Sequence, residues 1–447
     1  MTSEAPRETD PLTETPSTPS RPSAAARESA LDLGAFVSAS PSSFHACAEA
    51  ARRLEEAGFT RLLEDEDWAE VRGDRYVIRD GAIVAWSAPQ ASTPRTPWRI
   101  VGSHTDSPAL KLKPNPQLAA EGFSQIGVEV YGGPLLNSWL DRELRLAGRL
   151  ALRGGREVLV ATGPVLRLPQ LAVHLDRGVN KDGLVLDPQR HMQPVIGLGP
   201  VDVLELLAGS AAVHRDEILG YDVVTVDAQA PALFGAHEEF LASARLDNLS
   251  SMHAEVAALI DAAGSPRRGA DAPIALMVAN DHEEVGSESR SGAAGPFLED
   301  VLVRMHTALG GDDASRRRML ASSIVVSADA GHAAHPNYPE RHDPVTRPRL
   351  GAGPVLKINA NQRYATDATG IAVFTEACEA AAVPLQSFVA NNAMPSGSTI
   401  GPITATRLGM VTIDLGIALL SMHSAREMCA VADPLYLRRA LAQFLQG

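Results

Sequence analysis

Five stretches, far apart in the chain, place carboxylates or imidazoles directly beside apolar runs. They are G-S-H-T-D-S-P with His104 and Asp106, A-R-L-D-N with Asp247, N-D-H-E-E-V-G-S with Asp281, His282, Glu283 and Glu284, S-A-D-A-G-H with Asp329 and His332, and S-M-H-S around His423. His, Asp and Glu without Cys make a donor set for borderline or hard divalent ions such as Zn, Co or Mn. Two such ions about 3.5–4 Å apart can hold a water between them, lower its pKa and polarise a carbonyl. A centre of that kind needs a bridging carboxylate, terminal ligands on either side and one carboxylate left free as a base. Glu283 and Glu284 can divide two of these tasks, because neighbouring side chains of an extended or tightly turned segment diverge. Asp106, two residues after His104, can accept from the second ring nitrogen and fix the ligand tautomer.

Alone, each fragment has a plainer meaning: a turn for H-T-D, a solvated pair for E-E, a helix cap for Asp247, a satisfied core histidine for His423. Their conjunction points to a shared metal site. Gly-x-Ser-x-Gly is absent, which removes an α/β-hydrolase serine. S-G-S-T-I-G at Ser396–Gly401 is not a P-loop, and His282–Glu283 does not continue into His-Glu-x-x-His.

Something must carry these side chains to one place. Trp98–Gly102, Ile274–Ala279, Ser323–Ser327 and Met410–Ile413 are compact apolar runs, each followed at once by polar residues. Asp247 leads into a helical pattern with Leu249, Met252, Val256 and Ile260 on one face. Alternation of strands and helices predicts an α/β fold with a mostly parallel sheet, which binds ligands beyond the carboxyl ends of its strands. Residues 110–240 differ: Gly127–Tyr131, Glu157–Ala161 and Leu171–Leu175 are short alternating segments, which predicts a mainly β subdomain. Ser42 and Ser43 can cap a helix, and order is expected from about Leu31. Residues 1–28, with five prolines before Ser23, predict a disordered tail.

The 447 residues are 45% hydrophobic, enough for a large core, and carry a formal charge of −14. That field opposes nucleic acid and anionic membrane. No apolar run approaches the roughly 20 residues that span a bilayer. Three scattered cysteines, Cys47, Cys378 and Cys429, form no disulfide framework; the expectation is a soluble, cytoplasmic protein.

From about Leu31 to the C-terminus the chain resembles the aspartyl aminopeptidases. The resemblance rests on G-S-H-T-D-S-P, L-D-R-E-L-R-L-A-G-R, R-L-D-N-L, D-H-E-E-V-G-S, S-A-D-A-G-H-A-A-H-P-N-Y, Q-R-Y-A-T-D, M-P-S-G-S-T-I-G-P and S-M-H-S. It implies a phosphorylase-like α/β/α catalytic domain (29–108 and 238–447) with an inserted β-rich oligomerisation domain (109–237). It also implies two divalent ions, Zn with Co or Mn as alternatives, and a tetrahedral dodecamer that excludes folded proteins. His104, Asp247 and Asp329 would hold one ion, and Asp247, Glu284 and His423 the other. Glu283 would be the general base and Asp106 would orient His104. His332, Lys357 and Tyr364 would contact substrate, and His174 would reach a neighbouring subunit's site. The implied reaction is release of N-terminal Asp or Glu from peptides. A neutral-residue aminopeptidase or a deacylase on the same core is the alternative, and a non-catalytic assembly protein the rival of another class. Two positions depart from the family pattern: Ala393 stands where a carboxylate is common and Ser396 where Cys is common.

Overall fold

The computed structural model describes residues 21–265, 269 and 272–447. Most of the tail expected over 1–28 lies outside these residues, but its end is helical. A helix runs from Ala24 to Ala39, because Ser23 caps it by accepting from Ala26 N and three alanines follow. Ser42 caps the next helix, Ser43–Glu56, by accepting from His45 N.

A nine-stranded sheet forms the centre. Its middle is parallel: Ile274–Asn280, Trp98–His104, Ile324–Ala328 and Val411–Gly416 lie side by side in that order. The strands read as apolar runs because both faces are covered. Tyr76, Ile83, Val101, Met277, Val326 and Ile413 face one core, shared with helices Ala24–Ala39, Ser43–Glu56, Leu246–Ala263 and Asp433–Gln446. The alternate residues Val77, Val84, Ile100, Leu276 and Val325 face a second core with Phe297, Val301, Met305 and Met319. The period-2 alternation of the strands therefore builds an α/β/α sandwich.

A second, seven-stranded sheet is antiparallel and inserted after the strand Trp98–His104. Its pairings close on themselves through Glu143–Leu152 and Ile218–Asp227, around a core of Leu110, Ile126, Leu146, Leu150 and Val223. Closure removes most free strand edges. Its last strand ends at Asp227, whereas Ala232–Phe234 pairs with Phe240–Ser243, which pairs with Glu427–Ala430. Leu171–Leu175 is no strand: it is an exposed turn region, since its apolar residues find no partner edge.

Asp433 ties the last helix to a loop by accepting from Gly351 N at 2.9 Å and Gly353 N at 3.4 Å. Burial pushes its carboxyl up to about 7. A folded-state pKa above the unfolded value of about 3.9 means that stability is full below that value and falls as pH rises through the folded pKa. Asp433→Asn cannot ionise. Its melting temperature, relative to wild type, is expected to be higher at pH 8 than at pH 5; a gap that does not change with pH would show that Asp433 ionises freely in the folded protein.

Candidate metal centre

The five motifs meet at one rim of the parallel sheet. His104 is the last residue of its strand, Asp281–Glu284 follow Asn280, and Asp329 follows Ala328. Asp247 lies at the start of the long helix but does not cap it. Its backbone is non-helical (φ −83°, ψ 104°) and the peptide to Asn248 is cis. The carboxylate instead spans the site: Oδ1 lies 3.4 Å from His104 Nε2, and Oδ2 lies 3.5 Å from His423 Nε2. Asp329 Oδ1 is also 3.4 Å from His104 Nε2, and Glu284 Oε2 is 3.5 Å from His423 Nε2. Glu283 Oε2 stands 4.0 Å from His104 Nε2.

Ligand atoms of His104, Asp247 and Asp329 fall within 4.8 Å of one another, as do those of Asp247, Glu284 and His423. Both groups share Asp247. The carboxylates here are crowded. Burial, with Asp329, Asp247 and Asp106 nearby, pushes Glu283 up to about 7, and burial together with Asp247 raises Glu284 as well. Burial opposes charge on His104, yet Asp106, Asp247 and Asp329 outweigh it and raise its pKa. Asp247 Oδ1 and Glu284 Oε1 are buried without a hydrogen-bond partner. Such orphaned acceptors are costly unless something positive fills the space between them. The donor set, the negative charge and the orphaned oxygens all fit divalent metal.

Asp106 does more than orient His104. The ring Nδ1 is 3.2 Å from the Asp106 backbone carbonyl and 3.4 Å from Oδ1. The carboxylate accepts from the amides of Glu283 (3.0 Å) and Glu284 (3.1 Å) and from the Tyr131 hydroxyl (2.7 Å). It therefore holds the backbone on which both glutamates ride. Glu427, buried behind the site, accepts from Asp247 N at 3.0 Å and from His423 N at 2.8 Å. His423 Nδ1 meets the Gly133 carbonyl at 2.9 Å. Sequence reading missed Tyr131, Gly133 and Glu427. The only signal was Gly-Gly after an apolar strand, a sign of close backbone approach.

The expected substrate residues are placed unequally. Lys357 is buried, in line with its place between the apolar residues Val355, Leu356 and Ile358, but its ammonium lies 2.8 Å from Asp329 Oδ2 and donates to the Ala330 carbonyl at 2.7 Å. Its charge is thus engaged within the chain. Tyr364 is buried beside it, ring centroid 5.5 Å from Nζ. His332 is exposed and lines a cavity of about 410 Å³ together with Phe388, Met394, Leu420 and Met422. His174 is not brought to the cluster; it sits exposed in the turn region of the inserted domain, not on a strand.

Residues 36–445 match the family described as Aminopeptidase I zinc metalloprotease (M18). The chain belongs to the M18 family. It is a metallo-aminopeptidase. The "Probable M18 family aminopeptidase 2" of Streptomyces coelicolor is 53% identical to this M18 chain over 421 residues, covering 93% of it and 97% of the relative. Among solved structures, a chain of the Ape4 and Nbr1 complex superposes with a TM-score of 0.91 at 37% identity, over 94% of this chain and 86% of that one. A chain of the yeast mApe1 dodecamer gives 0.80 at 28% identity, over 94% and 96%. Among the described residues no helix is long and apolar enough to cross a membrane.

Proposed function

We propose that this M18 metallo-aminopeptidase releases N-terminal Asp or Glu from peptides, using two divalent ions. The observation that carries the two-ion reading is Asp247, whose two oxygens face His104 and His423 at 3.4 and 3.5 Å. His104, Asp247 and Asp329 would hold one ion, and Asp247, Glu284 and His423 the other. The ions, when bound, supply a water of lowered pKa and a polarised carbonyl. Glu283 takes the proton of the attacking water on its carboxylate and hands it to the leaving amine. Asp106 fixes the backbone of both glutamates. Tyr364 offers its hydroxyl to the carbonyl oxygen as charge builds there.

The acidic preference rests on the motifs shared with aspartyl aminopeptidases; Lys357, whose ammonium is already paired with Asp329, would share that charge with a substrate carboxylate. A second reading, preference for neutral residues, is favoured by the apolar wall of Phe388, Met394, Leu420 and Met422 in the neighbouring cavity. Hydrolysis of matched Asp-, Glu- and Leu-substrates by chelator-stripped protein, with Zn, Mn or Co restored, separates the two. Metal-dependent cleavage that favours Leu would overturn the acidic preference. Lys357→Ala should slow all three substrates, because Asp329 loses its partner, and slow Asp and Glu at least about 10-fold more than Leu. An equal loss would remove Lys357 from specificity.

The proposed assembly is a homo-oligomer, a tetrahedral dodecamer, in which His174 reaches a neighbouring active site. Supporting it, a chain of the yeast mApe1 dodecamer superposes on this one at 28% identity, and the inserted domain exposes the apolar side chains of Leu175 and Val185 at 75% and 83%. The proposed location is the cytoplasm, in keeping with three buried free cysteines.

A further inference from the structure

One stretch of the inserted domain touches the metal centre at four points. Tyr131 ends the strand Phe123–Tyr131, and its hydroxyl donates to Asp106 Oδ2, the oxygen that also accepts from Glu284 N. Gly132 follows with φ +71°; a Cβ there would lie 3.0 Å from the Glu284 Cβ and 3.4 Å from its Oε2. The Gly133 carbonyl meets His423 Nδ1 at 2.9 Å, and Leu135 N donates to the His423 carbonyl at 2.9 Å. A carbonyl can only accept, so His423 Nδ1 must carry the proton. In the neutral ring that leaves Nε2, which faces Asp247 and Glu284, as the nitrogen able to bind metal, the tautomer a ligand needs.

Gly132, Gly133 and Leu135 fall on the Glu284 and His423 side of the centre. Tyr131 reaches that side through Asp106 Oδ2, while Oδ1 of the same carboxylate faces His104 and the Glu283 amide. Glu284 and His423 are held by residues 131–135, whereas Asp329 is held by Lys357. We infer that the Tyr131–Leu135 segment positions the Glu284–His423 half of the centre, so that the inserted domain, seated correctly, sets occupation of the second ion site. The inference rests on the ligand assignment proposed above. Its chemical content is that an inserted domain implied by resemblance to serve assembly also serves the site. Tyr131 and Gly132 are positioning residues, acting through Asp106, Glu284 and His423.

Three variants test this by titrating zinc ion into chelator-stripped protein and by recording the cobalt absorption spectrum. Gly132→Ala forces a side chain against Glu284 and is expected to weaken one of two ions by at least about 10-fold, the lower end for a lost supporting partner, and to alter the cobalt bands. Gly122→Ala imposes the same kind of backbone strain (φ +82°) in the same domain, with nothing within 4 Å of its Cβ. It is expected to bind both ions as wild type does. Tyr131→Phe, the milder change, is expected to weaken the same ion as Gly132→Ala and to lower kcat more than KM changes. Normal binding of both ions by Tyr131→Phe, or equal weakening of both, would overturn the inference, and either result decides even where Gly132→Ala fails to fold. Wild-type protein that takes up a single ion would instead remove the two-ion reading on which the inference stands.

Discussion

Glu283→Gln protein is expected to bind its metal like wild type and to lose about 10²- to 10⁴-fold in kcat, the usual contribution of a positioned general base. The reason lies in the division of labour between adjacent glutamates. Glu284 Oε2 approaches His423 at 3.5 Å, and Glu284 belongs to two potential ligand groups, one with Asp247 and His423 and one with His104 and Glu283. Glu283 belongs only to the latter, and its Oε2 stands at 4.0 Å from His104, the longest of the approaches around that ring. The two amides are fixed by one carboxylate, that of Asp106, so the side chains diverge from a common anchor. Gln keeps the size and the backbone contact but cannot accept a proton from water. Metal content by elemental analysis and steady-state kinetics on the same sample would check it. Full turnover with normal metal would transfer the base role to another group.

The candidate cluster was legible in the sequence because His104, the Asp281–Glu284 stretch and Asp329 sit where strands stop. An apolar run that ends in H-T-D, D-H-E-E or A-D-A advertises both a buried strand and the polar rim beyond it, so types and positions could be read together. The partners behind the ligands were not legible. Asp106 meets its glutamate amides 177 and 178 positions away, and Glu427 meets Asp247 N 180 away. Backbone donors carry no residue type, so no motif records them. Lys357 was legible as a buried cation but not as the partner of Asp329, because burial follows from the apolar run and pairing does not. Leu171–Leu175 misled for the opposite reason. Alternating apolar residues mark a strand only where a neighbouring edge exists, and here they face outward. The helix start at Ala24 was hidden by the proline-rich stretch just before it, although Ser23 followed by alanines is itself a cap and a helix former.

Asp247→Asn should cost far more stability with metal than without it. In the metal-free protein, Asp247 sits among Asp106, Asp329, Glu283 and Glu284 and helps push Glu283 up to about 7. Burial also opposes its charge, but the imidazoles of His104 and His423 outweigh both and hold its carboxyl well below the usual carboxylate range. Removing the charge relieves repulsion among the carboxylates and gives up the pairing with both rings, so the metal-free variant is expected to melt slightly below metal-free wild type. The backbone contacts of residue 247 to Glu427 and Ser107 survive the change, since both use main-chain atoms. With metal the gap widens. Each ion bound only by the folded state stabilises it by about 2.7 kcal/mol at a free concentration one hundred times its Kd. An Asn presents one acceptor oxygen and one amide donor, and the donor must face a cation on one side of the bridge. Binding on that side should weaken by more than about 100-fold, beyond the range for losing an outer partner. Thermal melts of both proteins across a zinc titration give the four values. A gap that grows with free zinc is the expected result. A gap that stays the same at every zinc concentration would mean that Asp247 acts only by pairing with His104 and His423, and the reading of its carboxylate as a bridge between cations would fall.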